Sequence, residues 1–346
     1  MYRIGYLYNM PEILLNYSLR ALNSFHFDIR ARQYCECKNI GDIRETIASP
    51  SFRNEKILIL GEGSNILFSG DFMGLVIRPL IQGKEIIRED RNSVWVRAGA
   101  GENWDDFVAW ACAWGFGGIE NLSLIPGSVG SGPIQNIGAY GTELEQTVEE
   151  VSAIDVLTGQ KLIFTNEACR FGYRDSIFKQ EWKDKCIITS VTFRLSKKPE
   201  LNLSYQMVAE KFSGHKKQDV ETLRNVIIKI RRSKLPDPDK LGNAGSFFKN
   251  PVITGDHYQQ LLADHPGIPS YPATGESRKI PAAWLIEQCG WKGKRRGNAG
   301  TYEKQPLVLV NYGTATGQDM LELAILIEKD VRDRFGINLN KEVNVL

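Results

Sequence analysis

Two glycine-rich stretches and two polar corners hold the residue types in this chain that can do chemistry. The first stretch is Gly61-Glu-Gly-Ser-Asn-Ile-Leu-Phe68, which follows an apolar run, Lys56 to Leu60, that reads as a buried strand feeding a loop. A strand ending in Gly-x-Gly lets the main chain approach a ligand closely and aim several N–H groups at one phosphate; Ser64 and Asn65 add donors. It is not the dinucleotide fingerprint, because Ile66 stands where the third glycine belongs and no helical pattern follows. Taken alone, it is better explained as a tight turn between strands. The second stretch runs from Ile125 to Gly141, with five glycines and two prolines in seventeen residues. That is too long for a plain turn in a compact domain, and Ile125, Val129, Ile134, Ile137 and Tyr140 are out of place in a flexible linker. A backbone cradle around a large, flat or phosphorylated ligand fits it better.

The corners are Arg170-Phe-Gly-Tyr-Arg-Asp-Ser-Ile-Phe178 and Gly242-Asn-Ala-Gly-Ser-Phe-Phe-Lys-Asn-Pro251. An arginine at a Gly-Tyr corner is ordinarily a surface ion-pair residue. Ser246 lacks the nucleophile elbow of a hydrolase, since Phe248 occupies the place of the second glycine, but its hydroxyl can still donate a proton.

The elements that must position these residues follow from periodicity. Leu75 to Arg78 reads as a strand, and Ser93 to Ala98 alternates with Val94, Val96 and Ala98 on one face. Trp104, Phe107, Val108 and Ala111 then follow helical spacing, with Asn103 as N-cap and Gly115 as stop. Strand-like runs resume at Val151 to Leu157, Lys161 to Phe164 and Ile187 to Leu195, and a polar bridge follows from Ser196 to Gln218. A helix over Val220 to Arg232 must end at Lys234-Leu-Pro-Asp-Pro238. Beyond it come helical runs at His257 to Asp264 and Ala282 to Cys289, a strand at Leu307 to Val310, a last helix closed by Gly336, and a short strand expected to carry Glu342.

The 346 residues balance 43 basic against 41 acidic side chains, a net charge of +2 that gives no electrostatic case for a nucleic-acid partner. No apolar run approaches the roughly eighteen residues of a membrane helix, and Met1 to Tyr17 does not read as a secretory signal. Six cysteines without zinc-type spacing and four scattered histidines offer no metal site. The expectation is a reduced, cytoplasmic, metal-free protein.

Taken in order, the motifs resemble the UDP-N-acetylenolpyruvoylglucosamine reductase family from about Leu22 to Leu346. The resemblance rests on Leu60 through Phe68, Ala98-Gly-Ala-Gly-Glu-Asn-Trp104, Glu120-Asn-Leu through Gly141, Cys169 through Lys179, Lys234 through Pro238, Gly242 through Pro251, Trp284 through Cys289 and Lys341-Glu-Val343. It implies an α+β protein with an FAD-binding domain of the vanillyl-alcohol-oxidase (PCMH) type, followed by a smaller α+β substrate-binding domain. The expected boundaries are an N-terminal extension over 1–18, an FAD-binding domain over 19–196, a connector over 197–219 and a substrate domain over 220–346.

The implied reaction is NADPH-dependent reduction of UDP-N-acetylglucosamine enolpyruvate to UDP-N-acetylmuramate through non-covalent FAD, a cytoplasmic step of peptidoglycan precursor synthesis. The resemblance assigns Arg174 and Glu342 to the enolpyruvyl carboxylate and developing charge, and Ser246 as proton donor. FAD is expected at Gly61, Glu62, Gly63, Ser64 and Asn65 in the first stretch. In the second it is expected at Ile125, Pro126, Gly127, Ser128, Gly130, Ser131, Gln135, Asn136, Gly138, Ala139 and Tyr140. Substrate contacts are expected at Tyr173, Arg174, Lys234, Asn250 and Gln305, and at Tyr205 on a loop that closes over UDP in the longer subtype. The partners are small molecules only, and the protein is expected to be a monomer. Rival assignments are another FAD-dependent oxidase or dehydrogenase of the same fold, or a non-catalytic nucleotide-sugar-binding protein. The Ser246 and Glu342 motifs weigh against the first, and retention of Arg174, Ser246 and Glu342 together against the second.

Overall fold

The computed structural model describes residues 11–346, so the expected N-terminal extension lies outside the described residues as far as residue 10. The chain forms two compact units. The first comprises residues 11–17, Ala31–Glu62 and Met73–Arg231; the second comprises Ser18–Arg30, Gly63–Phe72 and Arg232–Leu346.

The first unit holds two sheets. One contains β1 (Leu14–Ser18), β2 (Arg30–Cys37), β3 (Ile57–Ile59) and β4 (Phe72–Pro79) in the order β1-β2-β4-β3, with β3 and β4 parallel. Helix α1 (Ile40–Ala48) starts at a capping box in which the Asn39 side chain accepts from Asp42 N–H and the Asp42 carboxylate takes the Asn39 N–H. Its Ile43 and Ile47 are buried with Cys35, Cys37, Leu75 and Ile77.

The other sheet is antiparallel throughout, in the order β8-β7-β9-β6-β5: β5 (Lys84–Glu89), β6 (Ser93–Gly99), β7 (Val148–Asp155), β8 (Lys161–Thr165) and β9 (Cys186–Ser196). Helix α2 (Trp104–Ala113) packs on it. Asn103 caps the helix by accepting from Asp106 N–H at 3.1 Å, Asp105 and Asp106 face the positive end of its dipole, and Gly115 (φ +74°) closes it. Trp104, Phe107, Val108 and Ala111 are buried among Val94, Val96, Val191 and Phe193, in line with the spacing read from the sequence.

The stretch from 197 to 219 is more than a connector, because it contains helix α3 (Gln206–Phe212). Val208 and Phe212, one helical turn apart, cover the apolar stripe Leu223, Val226, Ile227 and Ile230 of α4 (Val220–Lys234). The polar composition hid the helix; packing on α4, not propensity, supports it.

In the second unit β10 (Gly242–Ser246), β11 (Arg295–Arg296), β12 (Ala299–Thr301) and β13 (Val308–Asn311) form an antiparallel sheet in the order β10-β13-β12-β11. Its helices are α5 (Gly255–Asp264), α6 (Ala282–Gln288) and α7 (Gly317–Phe335). Met320, Leu323, Ala324, Ile327, Val331 and Phe335 form the buried face of α7, and Gly336 (φ +65°) ends it. The last strand departs from expectation. It covers Asn344–Val345 and pairs in parallel with Ile66–Leu67, so Glu342 lies ahead of it rather than on it. Among the described residues no helix is long and apolar enough to cross a membrane.

The aromatic contacts yield a direct test. The Phe193 ring centroid lies 4.9 Å from that of Phe107 and 5.9 Å from that of Trp104, all fully or almost fully buried. Phe193→Ala is expected to destabilise the first unit by about 3–5 kcal/mol in urea unfolding.

Candidate active site

In the first unit the second glycine-rich stretch lies against the turn before α2. Gly130 N–H donates to Ala100 O at 2.9 Å, Val129 N–H to Glu102 O at 2.8 Å, and Trp104 N–H to Gly127 O at 2.9 Å. A Cβ on Gly130 would meet the Ala100 Cβ at 2.6 Å, so only glycine allows this approach. The N–H groups of Ser128, Ser131 and Gly132 are likewise taken, by Ser131 Oγ, Ser128 O and Val129 O. This backbone is therefore a wall held by the protein rather than a ring of N–H donors. In the first stretch the N–H groups of Gly61, Glu62 and Gly63 have no acceptor among the described residues, as an oxyanion site requires.

Glu62 joins the two stretches. Its carboxylate accepts from Asn103 Nδ2 at 2.9 Å and from Gly127 N–H at 3.1 Å. A carboxylate does not ligate a phosphate, so this side chain is a strut. On the far side of the Ile125-Pro126 turn, Asp105 accepts from Leu124 N–H at 2.5 Å and takes a two-point ion pair from Arg224 at 2.6 and 2.9 Å. Burial alone would raise the Asp105 carboxyl; the Arg224 guanidinium and the Leu124 N–H outweigh it and hold the group below its ordinary range.

Asn136 is fully buried and left-handed (φ +45°). Its amide donates to Glu143 Oε2 and Gly172 O, each at 3.1 Å, and accepts from Glu145 N–H at 3.0 Å. It thereby ties the stretch to the next corner. There Gly172 and Asp175 exchange both backbone hydrogen bonds, leaving Tyr173 and Arg174 at the tip of a two-residue turn with Arg174 at φ +55°. That conformation costs energy for a non-glycine residue and is held here by the turn and by Arg174 Nη2 donating to Gly138 O at 2.7 Å. A Cβ on Gly138 would come within 2.9 Å of Arg174 Nη1.

Tyr140 is the other landmark. Its ring meets that of Tyr205 edge-on at 5.4 Å, and Asn121 Nδ2 donates both to Tyr140 O (3.0 Å) and to Asn202 O (2.9 Å). Tyr205, 40% exposed, precedes the first turn of α3. Two polar orphans flank Tyr140: Asn121 Oδ1, and Nε of Arg231, whose guanidinium lies beside the Tyr140 hydroxyl and is pulled below its ordinary value by burial. They leave one buried acceptor and one buried donor without a protein partner among the described residues. Sequence reading missed Asn121, Arg231 and the Asp105–Arg224 pair; the helical spacing of Arg224 and Arg231 was the available signal.

In the second unit Ser246 ends β10 after an irregularity in its pairing with β13, with Gly245 at φ +68°. Glu342 N–H donates to Phe247 O at 2.8 Å and Lys249 N–H to Asn340 O at 2.8 Å, so the tail runs antiparallel beside Ser246 and brings Glu342 to its neighbourhood. Asn65 Nδ2 donates to Glu342 O at 3.4 Å and Asn344 N–H to Asn65 O at 3.1 Å, which gathers the Ser64-Asn65 end of the first stretch at the same place. Asn250 Oδ1 caps α6 through Ala282 N–H at 2.9 Å, Gln305 lies in the turn between Tyr302 and Val308, and Lys234 ends α4. Among the described residues no group of three or more His, Cys, Asp or Glu is placed to hold a metal ion.

Two family models match separate parts of the chain. Residues 31–163 match a family model described as an FAD binding domain, and residues 237–346 one described as UDP-N-acetylenolpyruvoylglucosamine reductase, C-terminal domain. The UDP-N-acetylenolpyruvoylglucosamine reductase of Flavobacterium johnsoniae is 46% identical over 338 residues, covering 97% of this chain and 100% of that one. The protein of the same name from Paraburkholderia xenovorans is 44% identical over 333 residues, 95% and 96% of the two chains. The crystal structure of UDP-N-acetylenolpyruvylglucosamine reductase from Thermus caldophilus shares the fold, with a TM-score of 0.67 at 22% identity over 97% of this chain and 98% of that one.

Two outcomes follow from this geometry. A Cβ on Gly63 (φ +66°) would fall 2.0 Å from Leu22 O, whereas one on Gly70 meets nothing within 4 Å. Gly63→Ala is expected to cost more than about 1 kcal/mol in urea unfolding, and Gly70→Ala to change stability by less than about 0.5 kcal/mol. Because folding lowers the Asp105 pKa, its contribution is fully present above the unfolded value of about 3.9 and is lost as pH falls through the folded value. The stability difference between wild type and Asp105→Asn should therefore shrink on acidification below about pH 4.

Proposed function

The chain belongs to the UDP-N-acetylenolpyruvoylglucosamine reductase family of FAD-dependent oxidoreductases, and from that premise we propose that it reduces UDP-N-acetylglucosamine enolpyruvate to UDP-N-acetylmuramate with NADPH. The observation that carries the assignment is the tail hydrogen bond from Glu342 N–H to Phe247 O, which lays the main chain of Glu342 alongside the irregular strand end that holds Ser246. The FAD-binding part lies within residues 19–196 and the substrate part within 220–346, as the matches over 31–163 and 237–346 support, except that Ser18–Arg30 belongs to the second compact unit and 220–231, with Arg224 and Arg231, to the first.

The chemistry FAD supplies when bound is carriage of a hydride from NADPH to the methylene carbon of the enolpyruvyl group. The residues of the chain do the rest. The N–H groups of Gly61 and Gly63, with Ser64 and Asn65, hold the diphosphate. Gly127 to Ala139 would supply the wall, and Asn121 and Arg231, on either side of Tyr140, would offer the cofactor one acceptor and one donor. Arg174 is pre-set at its turn to grip the enolpyruvyl carboxylate with its planar fork and to stabilise the negative charge that develops next to it. Glu342 works protonated or hydrogen-bonded, since a bare carboxylate would repel that charge. Ser246 gives its hydroxyl proton to the carbanionic carbon and regains one from solvent.

Tyr173, Lys234, Asn250 and Gln305 bind the substrate. Lys234 is a point charge for the diphosphate; Asn250, its Oδ1 committed to α6, keeps its two amide donors for an anionic ligand. The Tyr205 loop closes over the UDP moiety, its base pinned by Asn121 and by Asn202, which donates to Gly141 O at 2.9 Å. The protein acts as a cytoplasmic monomer on small molecules alone.

The decisive measurement is an anaerobic spectrum. NADPH should bleach the flavin band, and UDP-N-acetylglucosamine enolpyruvate should restore it. Ser246→Ala is expected to leave bleaching nearly intact and to slow restoration by a factor of about 10² to 10⁴. A flavin that bleaches but never returns with this substrate would overturn the substrate, and equal loss of both half-reactions would overturn the role of Ser246.

A further inference from the structure

Leu124 (φ +59°) and Gly127 (φ +131°) both have positive φ on either side of the Ile125-Pro126 turn, so this turn does not hold its shape by local preference. Each end is held by a carboxylate: Leu124 N–H by Asp105, Gly127 N–H by Glu62. Their surroundings differ. Glu62 is held by a neutral amide, Asn103. Asp105 is fixed at two points by Arg224, which is 13% exposed and is presented by α4, about 120 residues further along the chain. We propose that Asp105 and Arg224 form a positioning pair that pre-sets the Leu124 to Gly127 turn for FAD, neither residue touching the cofactor.

Arg224 holds both carboxylate oxygens of Asp105, and Asp105 in turn holds the main chain. A lysine keeps the charge but reaches one oxygen, so it fixes the carboxylate less well; a methionine removes the hold. Pre-organisation of this kind is felt in affinity because the apoprotein then orders the turn only when ligand binds. The inference rests on FAD lying in the cradle as proposed above.

The test is FAD titration of the full-length apoprotein, read by flavin fluorescence and by the band shape of the bound flavin near its visible maximum. Arg224→Met should weaken FAD binding about tenfold or more and blur that band at saturation, and Arg224→Lys should recover part of both. Asp105→Asn should act in the same direction, and in the Arg224→Met background it should add less than its effect alone. Ile43→Val, in the separate core under α1 of the same unit, supplies the comparison for destabilisation without loss of positioning. If Arg224→Met weakens FAD no more than Ile43→Val does, or if the two single effects multiply in full, the pair is structural only and the proposal falls. If Arg224→Met does not fold, Arg224→Lys and Asp105→Asn decide by the same criteria. Gly61→Leu, whose Cβ would crowd Ser128 Oγ at 3.1 Å, separates the premises. Unchanged FAD affinity in that variant would overturn the cradle itself, whereas lost affinity there with normal binding by Arg224→Met would overturn only the pair.

Discussion

The main chains at Ala100 and Gly130 run so close that a single methyl group would push them apart, and most of the cofactor part depends on that approach. With it, Glu102 and Ala100 satisfy the loop's backbone, Gly127 is brought to Glu62, and Ser128 comes against Gly61. A seventeen-residue segment with almost no regular structure is thereby made rigid through main-chain hydrogen bonds, with two 3₁₀ turns along its length. Elements with strong intrinsic preference, such as α2 and the five-stranded sheet, supply the fixed surface against which it is ordered.

Much of this was legible. Trp104, Phe107, Val108 and Ala111 announce α2 together with its cap and stop, because burial of one face and the capping chemistry act within a few residues. The strands at Ser93 and Cys186 were legible for the same reason. Helix α3 was not, since its seven residues sit inside a polar stretch and its stability comes from packing on Leu223 and Ile227 of another helix. The place of Glu342 was misjudged by two residues, because register in a short tail is set by its partner, Ile66–Leu67, which lies far away in the chain.

The site was legible as motifs and not as roles. Glycine spacing marks where a backbone approaches a ligand, but it does not say which N–H groups remain available. Gly127, Ser128 and Gly130 read in the sequence as part of a cofactor cradle, and their N–H groups are bonded within the protein, while the Glu62 carboxylate takes Asn103 and Gly127 of the neighbouring stretch. Asn136 is similar: a polar residue in a cradle, yet every hydrogen bond described for it turns inward to Glu143, Glu145 and Gly172. Whether a polar side chain faces a ligand or the protein is decided by long-range contacts, which no local spacing records.

A wall made of main chain has one further consequence, for drug resistance. Point mutations exchange side chains and leave carbonyls and amides where they are, and at Gly130 even the smallest added side chain collides with the protein's own atoms at Ala100. An inhibitor that takes its affinity from this surface presents an evolving population with few escape routes that do not also damage the protein. One that leans on Tyr173 or Tyr205, both partly exposed and on turns, leaves many.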